Sequence, residues 1–331
     1  MSTCLACASK QIFSVYLGLT ASGYDLARPS RNQYLCQLIQ EIKESVWPKY
    51  VLAYFRKART DICEVNPYWP RAFLASLASL YLPESPPYRY SDRGIIERHI
   101  EGLDAVSHAD KRADTIRWVL QLPDIYQALW AQPVTHRLWS LYEGHINLGQ
   151  AEKVAVDAAA LVVRRTGIAP QRLPRIVILP NPLQAREVTD AVALGDKIYI
   201  IASEPDRASC VHEMLHHLLS PALALSRGTI REFAYLLGPV REDMLRFRYA
   251  WNDKEESWHR TFEEHLMRAA QIWITCGEDQ ESLDRSAAYQ ARHGFRYVPA
   301  ITGCFRLHWS GIDSAQDFVT HCLHACQKCQ A

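Results

Sequence analysis

The sequence predicts an α+β protein that is mostly helical, with a helical N-terminal region over 1–146 and a C-terminal domain over 147–331 built on a small mixed sheet. Three observations predict it. Long segments carry apolar residues at helical spacing on both sides of residue 147. Three short β-branched runs cluster between 175 and 201, where the helical pattern lapses. A chain of 331 residues, 48% hydrophobic and 22% charged, is composed like a globular protein and can bury a substantial core.

Taken in order, Ile12 to Leu19 alternates, with Phe13, Val15, Leu17 and Leu19 on one side, and is expected to form a strand that joins the core sheet. Gln33 to Ala58 reads as a long helix or a pair broken at Trp47-Pro48, because proline interrupts the hydrogen-bond ladder. Arg71 to Tyr81 is a helix ended by Pro83, and Pro83 to Arg93 is an extended loop. Helices follow over Gly94 to His108, Lys111 to Leu122 and Pro123 to Ala131. The aromatics Trp118, Tyr126, Trp130, Trp139 and Tyr142 recur at helical spacing and are read as core. Ala151 to Arg165 is an alanine-rich helix stopped at Gly167. Arg175 to Leu179, Glu187 to Val192 and Lys197 to Ile201 are strands, the last leading into a helix with Ser203 as cap and Asp206 reaching back to it. Pro221 is expected to end that helix after Ser220. Ala222 to Tyr249 reads as mostly helical.

The helix after the third strand carries His212-Glu213-Met214-Leu215-His216. Imidazoles four apart project from one helical face and can converge on one ion. The intervening Glu213 can accept a proton from water that the ion polarises. This is the HExxH pattern of zinc-dependent metallopeptidases. His217 points roughly 100° away around the helix and is given no ligand role.

A catalytic zinc takes three protein ligands and keeps one position for water. The three-histidine extension is excluded, because Leu219 and Ala222 stand where its Gly and His would be. A second helix over Asp253 to Thr275, with Phe262, Leu266, Ala269 and Trp273 as its stripe, Asn252 or Asp253 as cap and Gly277 as stop, carries Glu263 and Glu264. Helical phase alone leaves both open. Glu264 shares a side with Arg268 and Gln271, and Glu263 with Met267, Ala270 and Ile274.

At these residues the chain resembles the gluzincins, whose third zinc ligand is a Glu on a helix downstream of HExxH. Glu264-His265-Leu266-Met267-Arg268-Ala269 is similar to the E-x-x-x-R-A motif of a loosely characterised bacterial branch of HExxH proteins. The resemblance implies a zincin-like core, one catalytic Zn2+ held by His212, His216 and Glu264, and Glu213 as the catalytic base. It reaches His293-Gly294-Phe295-Arg296-Tyr297, similar to a G-F-x-Y segment, and implies Tyr297 as a donor to the oxyanion. His293 and His308 are weaker candidates for that task.

Composition narrows the partners. A net charge of +1, with no basic cluster, gives no reason to expect a nucleic-acid partner. No apolar run is long enough to cross a bilayer, and Met1 to Lys10 lacks the pattern of a signal peptide, so the chain reads as cytoplasmic. Ten cysteines are many for that location. Cys4, Cys7, Cys326 and Cys329 have the ligand chemistry of a second, Cys-bound Zn2+ if the termini meet. The expected function is hydrolysis of peptide bonds by Glu-assisted attack of zinc-bound water on a peptide or protein substrate. The alternatives are an inactive zinc-stabilised binding or regulatory protein and a Cys-based structural zinc or redox protein. A regulatory partner acting through the N-terminal region is compatible with each.

Overall fold

Four short strands form one sheet that the chain visits first at residue 4 and completes only at residue 202. In the computed structural model, which describes residues 4–27, 32–59, 70–101, 109–186, 188–246 and 256–329, these are β1 (Cys4–Ala6), β2 (Arg175–Pro180), β3 (Thr189–Leu194) and β4 (Lys197–Ala202). Their order is β1-β2-β4-β3. β1–β2 and β2–β4 are parallel, with Cys4 opposite Ile176 and Ile178 opposite Ile200. β3 runs antiparallel to β4 and lies at the edge, with Asp190 opposite Ile201. The described residues are 68% helical, so the α+β, mostly helical class holds.

Side-chain alternation divides this sheet between two cores. Ile176, Ile178, Ile198 and Ile200 enter a cluster with helices after residue 147. Val177, Leu179, Val192 and Ile201 enter a cluster with the N-terminal helices. Burial on both faces is why β2 and β4 read as nearly continuous apolar runs.

On the N-terminal face, α1 (Lys10–Ala21) is enclosed by α2 (Gln33–Glu44), α3 (Lys49–Arg56), α4 (Pro70–Ser79), α7 (Leu122–Trp130) and α8 (Pro133–Glu143). α5 (Arg93–Glu101) and α6 (Ala109–Val119) lie between α4 and α7 in the chain. The strand expected over Ile12 to Leu19 is therefore a helix, and Cys4–Ala6 supplies the N-terminal strand instead. Every residue from Gln11 to Thr20 is buried, so Ile12, Ser14 and Tyr16 are as enclosed as the alternating set. A helix surrounded on all sides has no periodicity to betray it. Ser9 caps it by accepting from the Ile12 amide at 3.2 Å. Gly18 lets α1 and α3 approach, since a Cβ there would collide with the Phe55 ring.

The opposite face is covered by α9 (Leu148–Thr166) and α10 (Arg207–Leu225). Gly167, at φ 70°, ends α9 as expected. α11 (Arg227–Glu232) and α12 (Gly238–Arg246) follow, then α13 (Glu256–Cys276), α14 (Gln280–Arg292), α15 (Val298–His308) and α16 (Ala315–Lys328). α13 packs on α10, α14 and α15, burying Trp258, Phe262, Leu266 and Ala270 completely. The caps expected at Asn252 or Asp253 lie outside the described residues. No described helix is long and apolar enough to cross a membrane.

Candidate metal centre

α10 begins at Asp206, whose carboxylate accepts from the Ala208 and Ser209 amides at 2.7 and 3.0 Å. The expected cap, Ser203, is not used, and its buried hydroxyl has no partner. The helix also continues through Pro221 to Leu225. Pro221 lacks the N–H that would bond the His217 carbonyl, but both residues are exposed, so water can serve that group. Cys210, Val211, Met214, Leu215, Leu219 and Leu223 seat α10 in the core. That seating leaves His212, Glu213 and His216 half-buried beside α13.

The two histidines meet at their Nε2 atoms, 3.1 Å apart. Glu264 on α13 faces them, with Oε1 3.4 Å from His216 Nε2 and Oε2 3.8 Å from His212 Nε2. Ligand atoms of His212, His216 and Glu264 lie within 4.8 Å of one another, the one such group among the described residues. Ligands about 2.0–2.2 Å from a tetrahedral zinc stand roughly 3.3–3.6 Å from each other. The donor set and its spacing therefore fit zinc. The three side chains remain 14, 27 and 18% exposed, so the site is open to solvent on one side.

Glu263, the neighbour left open by helical phase, has a different place. His216 Nδ1 lies 3.1 Å from Glu263 Oε1, so this carboxylate accepts a hydrogen bond from Nδ1–H and turns Nε2 toward His212 and Glu264. Arg268 stands behind Glu264, its Nε 3.5 Å from Oε2. Its guanidinium lies over the Phe295 ring at 3.9 Å and donates to Gln290 Oε1 at 3.3 Å.

Electrostatics follows from this crowding. Burial holds His212 neutral, lowering its pKa to about 4 against the pull of Glu264. Burial also opposes charge on His216, but hydrogen bonds with Glu263 and Glu264 overcome it and raise the pKa to about 10. Glu264 would be raised by burial, yet His216, His212 and Arg268 hold it at about 2. Burial pushes Glu213 up to about 8, with Glu264 and Asp190 adding to the shift.

The other expected residues lie elsewhere. Tyr297 is fully buried and its hydroxyl donates to the Leu236 carbonyl at 2.8 Å, so its proton is committed inside the core rather than offered to an oxyanion. Its G-F-x-Y context turns the backbone into α15, packing the ring beside Trp258 and His265. His293 is partly exposed and paired with the Tyr289 carbonyl, and His308 stacks on His321. Cys4 is buried in β1 and Cys326 in α16, while Cys7 and Cys329 are exposed. These four thiols form no metal-holding group among the described residues. His217 is exposed, as its phase required.

Two groups near the site were not singled out from sequence. His265 is fully buried behind Glu264, kept neutral with a pKa lowered to about 4 by burial, and bonded to the Thr261 carbonyl. Asp190 is an acid within the edge strand β3, a mismatch with its apolar neighbours that could have marked it. A separate cleft of about 380 Å3 between α14 and α15 contains none of the candidate ligands.

Compared with known proteins, the chain matches no family model, and neither the curated proteins nor the solved structures give a match.

Proposed function

We propose that this chain is a zinc-dependent metallopeptidase of the gluzincin kind. The observation that carries the reading is the convergence of two imidazole Nε2 atoms and the Glu264 carboxylate, with Glu213 one residue from His212. His212, His216 and Glu264 would hold the metal. Zinc in that place would supply a Lewis acid that polarises a carbonyl and lowers the pKa of water.

The remaining work belongs to the chain's own groups. Glu213, half-buried beside His212, is the carboxylate placed to take and return a proton. Glu263 fixes the tautomer and tilt of His216, and Arg268 fixes Glu264. β3 is bonded to β4 on one side only, leaving its outer backbone groups for an extended peptide to pair with. These features support a peptide or protein as the substrate.

Digestion of a peptide library tests the reading, with wild type compared with Glu213→Gln at equal zinc content. Cleavage by wild type should fall about 10²–10⁴-fold in the variant, the usual contribution of a positioned base. Equal inertness of both proteins, fully loaded with zinc, would contradict the enzyme and favour a zinc-stabilised binding protein. Two imidazoles and one carboxylate also suit ferrous iron. Metal analysis of the purified chain should find zinc, and selective retention of iron without hydrolysis would overturn the peptidase reading.

A further inference from the structure

Asp190 has no role in the chemistry above, yet it is held in a defined place. It stands in β3 opposite Ile201, so alternation puts its side chain on the sheet face that carries Val192 and Ile201. Its Oδ2 accepts from Gln184 Nε2 at 2.8 Å. Among the described residues no cation pairs with it, an unusual condition for a half-buried acid. Burial accordingly raises its pKa to about 7, with the Gln184 bond opposing the shift.

The surroundings are also incomplete. Gln184 is 1% exposed, and its Oε1 has no hydrogen-bond partner. Because its Nε2 is spent on Asp190, this orphan oxygen lies beside the same carboxylate. Asn181, at 0% exposure in the same loop between β2 and β3, leaves its Nδ2 unpartnered. The loop is not loose. Tyr142 donates to the Pro180 carbonyl at 2.9 Å, and the Ala185 amide donates to the Tyr24 hydroxyl at 3.1 Å. The Gln184 side-chain oxygen is thus fixed beside the Asp190 carboxylate and meets no donor among the described residues. A lone water could meet the amide oxygen, but it would leave the carboxylate without a counter-charge.

Position relates this pair to the candidate site. α10 packs against the other face of β3, and the charge of Asp190 is felt at Glu213 across the strand. A peptide added at the outer edge of β3 would place the residue opposite Asp190 on the same face, with Cβ atoms about 5 Å apart. We propose that Asp190 and the Gln184 side-chain oxygen form a recognition subsite for a cationic group, the ammonium or guanidinium of a basic side chain on a peptide lying along β3. The peptide as occupant rests on the metallopeptidase reading. The preference for a cation rests on the acceptor pair itself.

Calorimetry can separate the two. Zinc-loaded Glu213→Gln protein, used to prevent turnover, is titrated with two randomised decapeptide pools that carry lysine or norleucine at one fixed position. The lysine pool should bind about 10-fold or more tightly, and Asp190→Asn should erase the difference while keeping zinc. Should Asp190→Asn fail to fold, Gln184→Met, which keeps the acid but removes its neighbouring acceptor, should reduce the difference. Equal binding of the two pools, binding of neither, or a lysine preference that survives Asp190→Asn would overturn the subsite. A lysine preference in a chain whose wild type cleaves nothing leaves the subsite standing and removes the peptidase reading. Cleavage without that preference does the reverse.

Discussion

The two faces of the sheet carry cores of opposite character. On the N-terminal side Phe13 packs against Trp130, Trp139 and Tyr142 with ring centroids 6.3, 5.2 and 4.9 Å away, and Tyr54 stacks on Trp118. Its ionisable groups are largely phenols that burial drives far from titration, such as Tyr16 and Tyr54. On the other side, α10 and α13 hold two imidazoles and three carboxylates at the rim of a core of mixed aliphatic and aromatic side chains. One face buries apolar rings and can be as dense as packing allows. The other gathers like charges in a half-buried place, an arrangement that costs stability unless a metal or ligand compensates it. The difference separates a face that, Asp190 apart, mainly holds the fold from a face that carries the candidate metal centre.

That separation can be broken by mutation. Phe13→Ala removes a fully buried ring and should cost about 3–5 kcal/mol, read as a lower Tm. Zinc per folded chain should stay at the wild-type value. Loss of zinc along with the ring would mean that the two faces are not independent. A smaller effect is expected on the other face from Glu263→Gln. By removing the charged partner of His216 Nδ1, it should weaken zinc binding about 10–100-fold without abolishing it. Complete loss would make Glu263 a ligand, and no change would make its contact incidental.

The smallest effect concerns pH. In the metal-free chain His216 is raised from 6.5 to about 10 and Glu213 from 4.5 to about 8. Each raised pKa stabilises the fold below the unfolded value and loses that contribution as pH rises through the folded value. Metal-free protein should therefore lose Tm progressively between about pH 6.5 and 10 as His216 gives up its proton. Zinc competes with that proton, so zinc affinity should rise over the same window. A Tm that rises with pH in the metal-free state, or a zinc affinity flat across that window, would contradict the assigned charges.

Much of this was legible in the sequence, for reasons that also explain the gaps. His212 and His216 could be placed because a four-residue spacing on a helix is a geometric statement in itself. β2, β3 and β4 announced themselves through β-branched runs between turn residues. Glu263 and Glu264 could not be separated by phase, since which neighbour meets His216 Nε2 depends on how α13 crosses α10. The α1 segment reads as a strand because burial all round removes the period that distinguishes helix from strand. Asp206 rather than Ser203 caps α10, and Pro221 does not end it, because capping and termination are settled by tertiary surroundings as well as residue type. The Asp190 and Gln184 pair joins a strand to a loop through one side-chain bond, a contact that no local pattern encodes.

Metal stoichiometry tests the central claim most directly. Purified chain, stripped and reloaded, should hold one zinc, and His212→Ala should hold none while keeping its helical content. Zinc retained undiminished in His212→Ala, or no zinc bound by the wild type, would contradict a metal centre shared by α10 and α13.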